Sequence, residues 1–271
     1  LNAVKSRHVP TAQRSSDRLL ADIGEGPALV AVGGGSGLST LLRGLKHHVG
    51  HGVRELQAVV TVSDDGGSSG RLRRELGVLP PGDIRNCICA LADDEDLLAR
   101  LFQYRFAGGD GLANHSFGNL FLTALTDITG DFYQAILTAE TILSVRGRIL
   151  PATLTDLRLR ARGRSGKVYE GESAVGASGE PLTELTILPA APRALPAATR
   201  ALREADVIVL GPGSLYTSIL PNLLIPAIRA AIAESGARVV LPLNLMTQPG
   251  ETAGMSGPAH LDAIAAHVGG D

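Results

Sequence analysis

The sequence predicts an α/β fold on a doubly wound, mostly parallel sheet, with a long helical insertion and a small antiparallel β meander. Three observations carry that prediction. Short unbroken apolar runs end in glycine, as strands buried on both faces do. A helical repeat follows the first run and another β-branched run follows the helix, which makes a βαβ unit. Between residues 148 and 188 the pattern changes to polar and apolar alternation interrupted by glycines, the mark of half-buried antiparallel strands.

Residues 1–27 mix charged and hydroxyl residues without sustained periodicity and are expected to form a flexible N-terminal extension, with helix confined to about 17–23. Residues 28–271 are expected to form one nucleotide-binding domain. Its first strand is Ala28-Leu29-Val30-Ala31-Val32. The following helix places Leu38, Leu41, Leu42, Leu45 and Val49 on one face, and the second strand spans 56–62. Helices are expected over 84–91, 97–106, 118–125 and 132–143, before the meander of 148–188. Alternation then resumes: helix 196–204, strand 207–210, helix 221–234, strand 238–243 and helix 258–267. The pattern is Rossmann-like.

The 271 residues suffice for an enzyme-sized core, and 44% are apolar. With no Trp, five Phe and four Tyr, that core should be aliphatic, which argues against base-stacking platforms. A net charge of −2 without a sustained basic stripe argues against nucleic acid as partner. No apolar run is long enough for membrane insertion and no secretion signal opens the chain, so a cytoplasmic protein is expected. Cys87 and Cys89 lie two residues apart on an expected helix, pointing in different directions, and read as free buried thiols.

The candidate ligand residues sit where expected strands end. Val32 runs into Gly33-Gly34-Gly35-Ser36-Gly37 and a helix, so unhindered backbone N–H groups face one spot suited to phosphate. Leu38 stands where the common dinucleotide fingerprint wants a third glycine or alanine, and a plain tight turn would explain the glycines alone. The second strand ends in Ser63-Asp64-Asp65-Gly66-Gly67-Ser68-Ser69-Gly70. There Asp64 and Asp65 are candidates to bond a ribose hydroxyl or hold Mg²⁺, or to cap a turn. Arg71, Arg73 and Arg74 are phosphate candidates, at least two of them better placed on a solvated helical face.

Asp83 is expected either to N-cap its own helix or to contact ligand. In Asn114-His115-Ser116-Phe117-Gly118-Asn119, His115 reads as structural and Asn119 as the better ligand candidate. A second glycine turn follows strand 207–210, with Gly211, Gly213, Ser214, Tyr216 and Thr217 as candidate contacts. The polar turn 244–252 either lines the same crevice or is an ordinary loop.

Taken together, GGGSGLS, SDDGGSSGRLR, PPGDIRN, HSFGNL, GPGSLYTS and NLMTQPGET, in this order from Leu29 to His267, resemble the YvcK proteins, also called gluconeogenesis factors. The resemblance implies a fold related to CofD, the 2-phospho-L-lactate transferase of coenzyme F420 synthesis. It implies a cytoplasmic binder of UDP-sugars such as UDP-N-acetylglucosamine, needed for cell shape, cell-wall synthesis and growth on gluconeogenic carbon sources, with envelope-synthesis proteins and a second copy of the chain as candidate partners. By position it places phosphates at Gly33 to Gly37 and at Gly213 to Thr217, beside Asp64, Asp65 and Asn119. The YvcK pattern continues past the position of Asp271 with further nucleotide and sugar contacts, and residues 1–27 stand outside the shared pattern. A CofD-type transferase using Mg²⁺ is the alternative, although no separate nucleophile or base stands out.

Overall fold

The computed structural model describes residues 26–92 and 97–269. Strand β1 (Ala28–Gly33) leads into helix α1 (Gly35–Leu45) and then β2 (Glu55–Val60). Five helices separate β2 from β3 (Arg148–Pro151): α2 (Gly67–Leu76), α3 (Gly82–Leu91), α4 (Leu97–Gln103), α5 (Phe117–Thr129) and α6 (Phe132–Ile142). The meander comprises β4 (Arg158–Gly163), β5 (Val168–Glu170), the short helix α7 (Glu172–Gly176) and β6 (Leu182–Leu188). The chain finishes with α8 (Pro196–Arg203), β7 (Val207–Leu210), a π-helical turn (Leu215–Ile219), α9 (Leu220–Leu223), α10 (Pro226–Glu234), β8 (Arg238–Val240) and α11 (Gly257–Val268).

The main sheet has the order β3-β2-β1-β7-β8, with every pair parallel. Its order reverses between β1 and β7, and in doubly wound sheets ligands bind beyond the carboxyl ends of the strands at such a point. The antiparallel sheet has the order β5-β4-β6. Because side chains alternate across a strand, β1 feeds two cores. Val30 and Val32 join Val59, Ile208 and Leu210 against α8, α10 and the meander. Leu29 and Ala31 join Ala58 and Val60 against α1, α3 and α6.

The doubly wound sheet, the helical insertion and the meander are those the sequence predicts, with three corrections. The meander begins at Arg158, since Arg148–Pro151 pairs with β2 as an edge of the main sheet. The last strand stops at Val240 instead of residue 243, and all three of its residues are exposed. The single helix expected over 221–234 is a bent pair with an angle of 76° between Leu215–Leu223 and Pro226–Glu234. Pro226 occupies a helix-starting position there, where it cannot continue the preceding turn. The extension and the helix expected over 17–23 fall, up to residue 25, outside the described residues. Cys87 and Cys89 are buried free thiols. Among the described residues, no single helix is long and apolar enough to cross a membrane.

Candidate functional site

The two glycine turns meet at the point where strand order reverses. Gly34 precedes α1 in an extended conformation, and Gly35 begins it at φ 63°, a value that favours glycine. A Cβ on Gly34 would lie 2.5 Å from Thr61 Cγ2 and 2.8 Å from Asp83 Oδ2. A Cβ on Gly37 would collide with the carbonyl oxygen of Pro212 and lie 2.9 Å from Gly213 Cα. Gly34 is closed by the side chains of Thr61 and Asp83, and Gly37 by the backbone of the second turn. The second turn has Gly211 at φ 90° and Gly213 at φ 153°.

Asn222, on α9, fastens the turns from below. Its Nδ2 donates to Gly33 O at 3.1 Å and to Ser218 O at 2.8 Å, while its Oδ1 is buried without a partner. The 244–252 turn packs on the second glycine turn: Asn244 Nδ2 donates to Gly213 O at 2.9 Å, and Ser214 Oγ donates to Glu251 Oε2 at 2.5 Å. Ser214 Oγ also accepts from Thr217 N at 2.9 Å, so both residues are engaged in capping the π-helical turn. Tyr216 is carried into the core, where its hydroxyl donates to Leu182 O at 3.2 Å. Gly33, Gly34, Gly35, Gly37, Gly211 and Gly213 are thus brought together with exposed Ser36 beside them, while Tyr216 points away.

Next to the first turn is a group of carboxylates. Asp64 Oδ1 accepts from Gly66 N at 2.9 Å, an Asx turn that opens α2. Asp65 Oδ1 accepts from Ser173 N at 2.8 Å, which latches the meander to the main sheet. Glu172 accepts from Ser63 Oγ at 2.7 Å. Asp83 does not cap its own helix. It lies within the first turn of α3, whose N-cap is Pro81, and accepts a hydrogen bond from the Gly35 N–H of α1. Burial, reinforced by Asp64, raises the Asp83 carboxyl to about 6, and burial followed by Asp83 pushes Glu172 well above the usual range. Among the described residues, no three His, Cys, Asp or Glu are disposed to hold a metal ion.

Asn119 is buried at the start of α5, its Nδ2 donating to Ser68 Oγ at 3.1 Å and its Oδ1 unpartnered. Ser68 Oγ also lies 2.8 Å from Nδ1 of His115, which is buried. Arg71 donates to the carbonyls of Ala113 and Gly111. The Arg73 side chain is only 8% exposed and bonds Leu157 O and Asp156. Arg74 is exposed.

The family model described as 2-phospho-L-lactate transferase CofD matches residues 29–271. The chain belongs to the CofD family. Among the relatives of this CofD-family chain is the putative gluconeogenesis factor of Nostoc sp., 57% identical over 244 residues, which cover 90% of this chain and 53% of that protein. The gluconeogenesis factor of Bacillus subtilis is 47% identical over 247 residues, covering 91% of this chain and 77% of that protein. This CofD-family member therefore groups with the gluconeogenesis factors, spanning about half of the Nostoc relative and three quarters of the Bacillus one. A crystal structure of a UPF0052-family protein from Bacillus halodurans superposes with a TM-score of 0.84 at 49% identity, covering 89% of this chain and 76% of that one.

Asp83, Glu172, Asn222 and Glu251 are the functional candidates that sequence reasoning left out of the binding set. Asp83 was legible as a helix-start acid, and Glu251 as part of the polar turn. Nothing local marks Glu172 or Asn222, whose partners are 109 and 189 residues away in sequence.

Proposed function

We propose that this chain is a UDP-sugar-binding regulatory protein of the cytoplasm, with UDP-N-acetylglucosamine as its ligand. In this reading it serves cell-wall synthesis, cell shape and growth on gluconeogenic carbon sources, acting through envelope-synthesis proteins. The observation that supports it best is the convergence of two glycine turns at the strand-order reversal. First-turn N–H groups of a helix lack intrahelical acceptors, and the first turn of α1 packs directly against the Gly213 turn. A diphosphate supplies acceptors on both sides. The relatives named gluconeogenesis factors support the physiological side.

Mg²⁺ fits this reading only as a bridge. The chain offers Asp64 and Asp83 as neighbouring carboxylates, and the ion would draw its remaining oxygens from the diphosphate and water. Calorimetry of the protein with UDP-N-acetylglucosamine and Mg²⁺ should give saturable binding with one ligand per chain. No detectable heat at millimolar ligand would overturn the reading.

A transferase of the CofD type is the second reading, and one observation favours it. A carboxyl raised to about 6 beside a phosphate site has the proton affinity of a usable general base.

A further inference from the structure

A cavity of about 260 Å³ lies on the meander side of Asp65, between α2 and strands β4 and β5. Neither glycine turn lines it. Its walls are Arg73, Arg74, Arg158, Leu159 and Leu188, with Asp65 at one side. The acids around it are already engaged. Asp65 accepts from the Ser173 N–H, Glu170 pairs with Arg160 at 3.6 Å, and Asp156 is shared between Arg73 and Arg158.

Two observations leave donors uncommitted there. Arg74 is exposed and makes no ion pair among the described residues. The Arg73 side chain is only 8% exposed, and its Nε is buried without an acceptor. Buried donors in folded proteins are almost always satisfied, so the unpaired Nε leaves the Arg73 side chain, part of the cavity wall, short of an acceptor. The opposite wall is apolar: Leu159 is buried, while Leu188 is 45% exposed.

We infer that this cavity is a second ligand site, for a compact molecule with an apolar body and a phosphate or carboxylate group. The acid lies among the guanidinium groups of Arg73, Arg74 and Arg158, and the apolar body covers Leu159 and Leu188. Guanidinium forks suit planar, bidentate recognition of such oxyanions. No residue of either glycine turn lines this site, and Asp65 at its edge is latched to Ser173. A ligand held here would tie the meander to α2, because its contacts come from both.

The test uses 1-naphthyl phosphate, with neutral 1-naphthol as charge control, titrated calorimetrically into the whole chain. Saturable binding is expected, at least about tenfold weaker for 1-naphthol, since charge-assisted bonds carry that difference. Arg74→Ala with Arg158→Ala should lower the affinity at least about tenfold, and Arg74→Glu alone should act in the same direction. Both arginines are exposed, and circular dichroism verifies that the variants fold. Gly37→Ala, which disturbs the glycine turns, should leave naphthyl phosphate binding unchanged. No saturable binding at several millimolar overturns the proposal. So does undiminished binding in the arginine variants, or binding lost in Gly37→Ala, which would place the probe in the crevice.

Discussion

Gly37→Ala is expected to destabilise the protein by about 1–3 kcal/mol, the usual cost of forcing a methyl group into a filled site. The same change should lower affinity for UDP-N-acetylglucosamine at least about tenfold. The new Cβ meets the Pro212 carbonyl and lies 2.9 Å from Gly213 Cα, and backbone cannot yield as a flexible side chain does. Relief therefore requires the two glycine turns to separate, which pulls apart the donors that would share a diphosphate. Gly44, on the same helix, has nothing within 4 Å of its would-be Cβ. Gly44→Ala should thus stabilise by about 0.5–1 kcal/mol, because alanine loses less backbone entropy in a helix. Urea denaturation of the two variants should show midpoint shifts of opposite sign.

Asp83→Asn should stabilise the protein at pH 7.5 by about 1–3 kcal/mol. The Asp83 carboxyl titrates near 6 in the folded chain against an ordinary value of 3.8, so the folded state holds the proton more tightly than the unfolded one. Its favourable contribution is complete below about pH 4 and is lost as pH rises through about 6. Above that range the buried, ionised carboxylate is a liability of up to about 3 kcal/mol, from two units at about 1.4 kcal/mol each. Asparagine keeps an oxygen for the Gly35 N–H and offers an N–H toward Asp64. Urea midpoints measured from pH 4 to 8 should show the wild type weakening with rising pH while the variant stays flatter. Equal stability at pH 7.5 would refute the assignment. In the proposed binding mode the same ionised group lies beside the diphosphate, so in the absence of Mg²⁺ the wild type should bind UDP-N-acetylglucosamine more tightly as pH falls through 6. The Asn variant should lose that dependence.

These two residues also mark how far the sequence could be read. The turn at Gly37 was legible because its cause is local: a continuous apolar strand, a run of glycines and a helical repeat follow one another within twenty residues of chain. The role of Asp83 was not. Read locally, an acid at a helix start is a cap, but its partner Gly35 belongs to a helix brought alongside by the sheet. The edge strand Arg148–Pro151 escaped for the same reason, since its four residues show no alternation and gain their identity only by pairing with β2. Tyr216 illustrates the opposite error. Its place in a glycine-rich loop suggested a ligand contact, yet the π-helical turn rotates it onto the Leu182 carbonyl.

The proposed function requires the turns at Gly33 to Gly37 and Gly211 to Thr217 to hold a diphosphate together. Amide chemical shifts of isotopically labelled protein, followed during titration with UDP-N-acetylglucosamine, test it most directly. The largest shifts are expected at Ser36, Gly37, Gly213 and Ser214, with Gly70 and Gly171 beside the arginine cavity scarcely moved. Shifts centred on Gly70 and Gly171, with the two glycine turns silent, would contradict it.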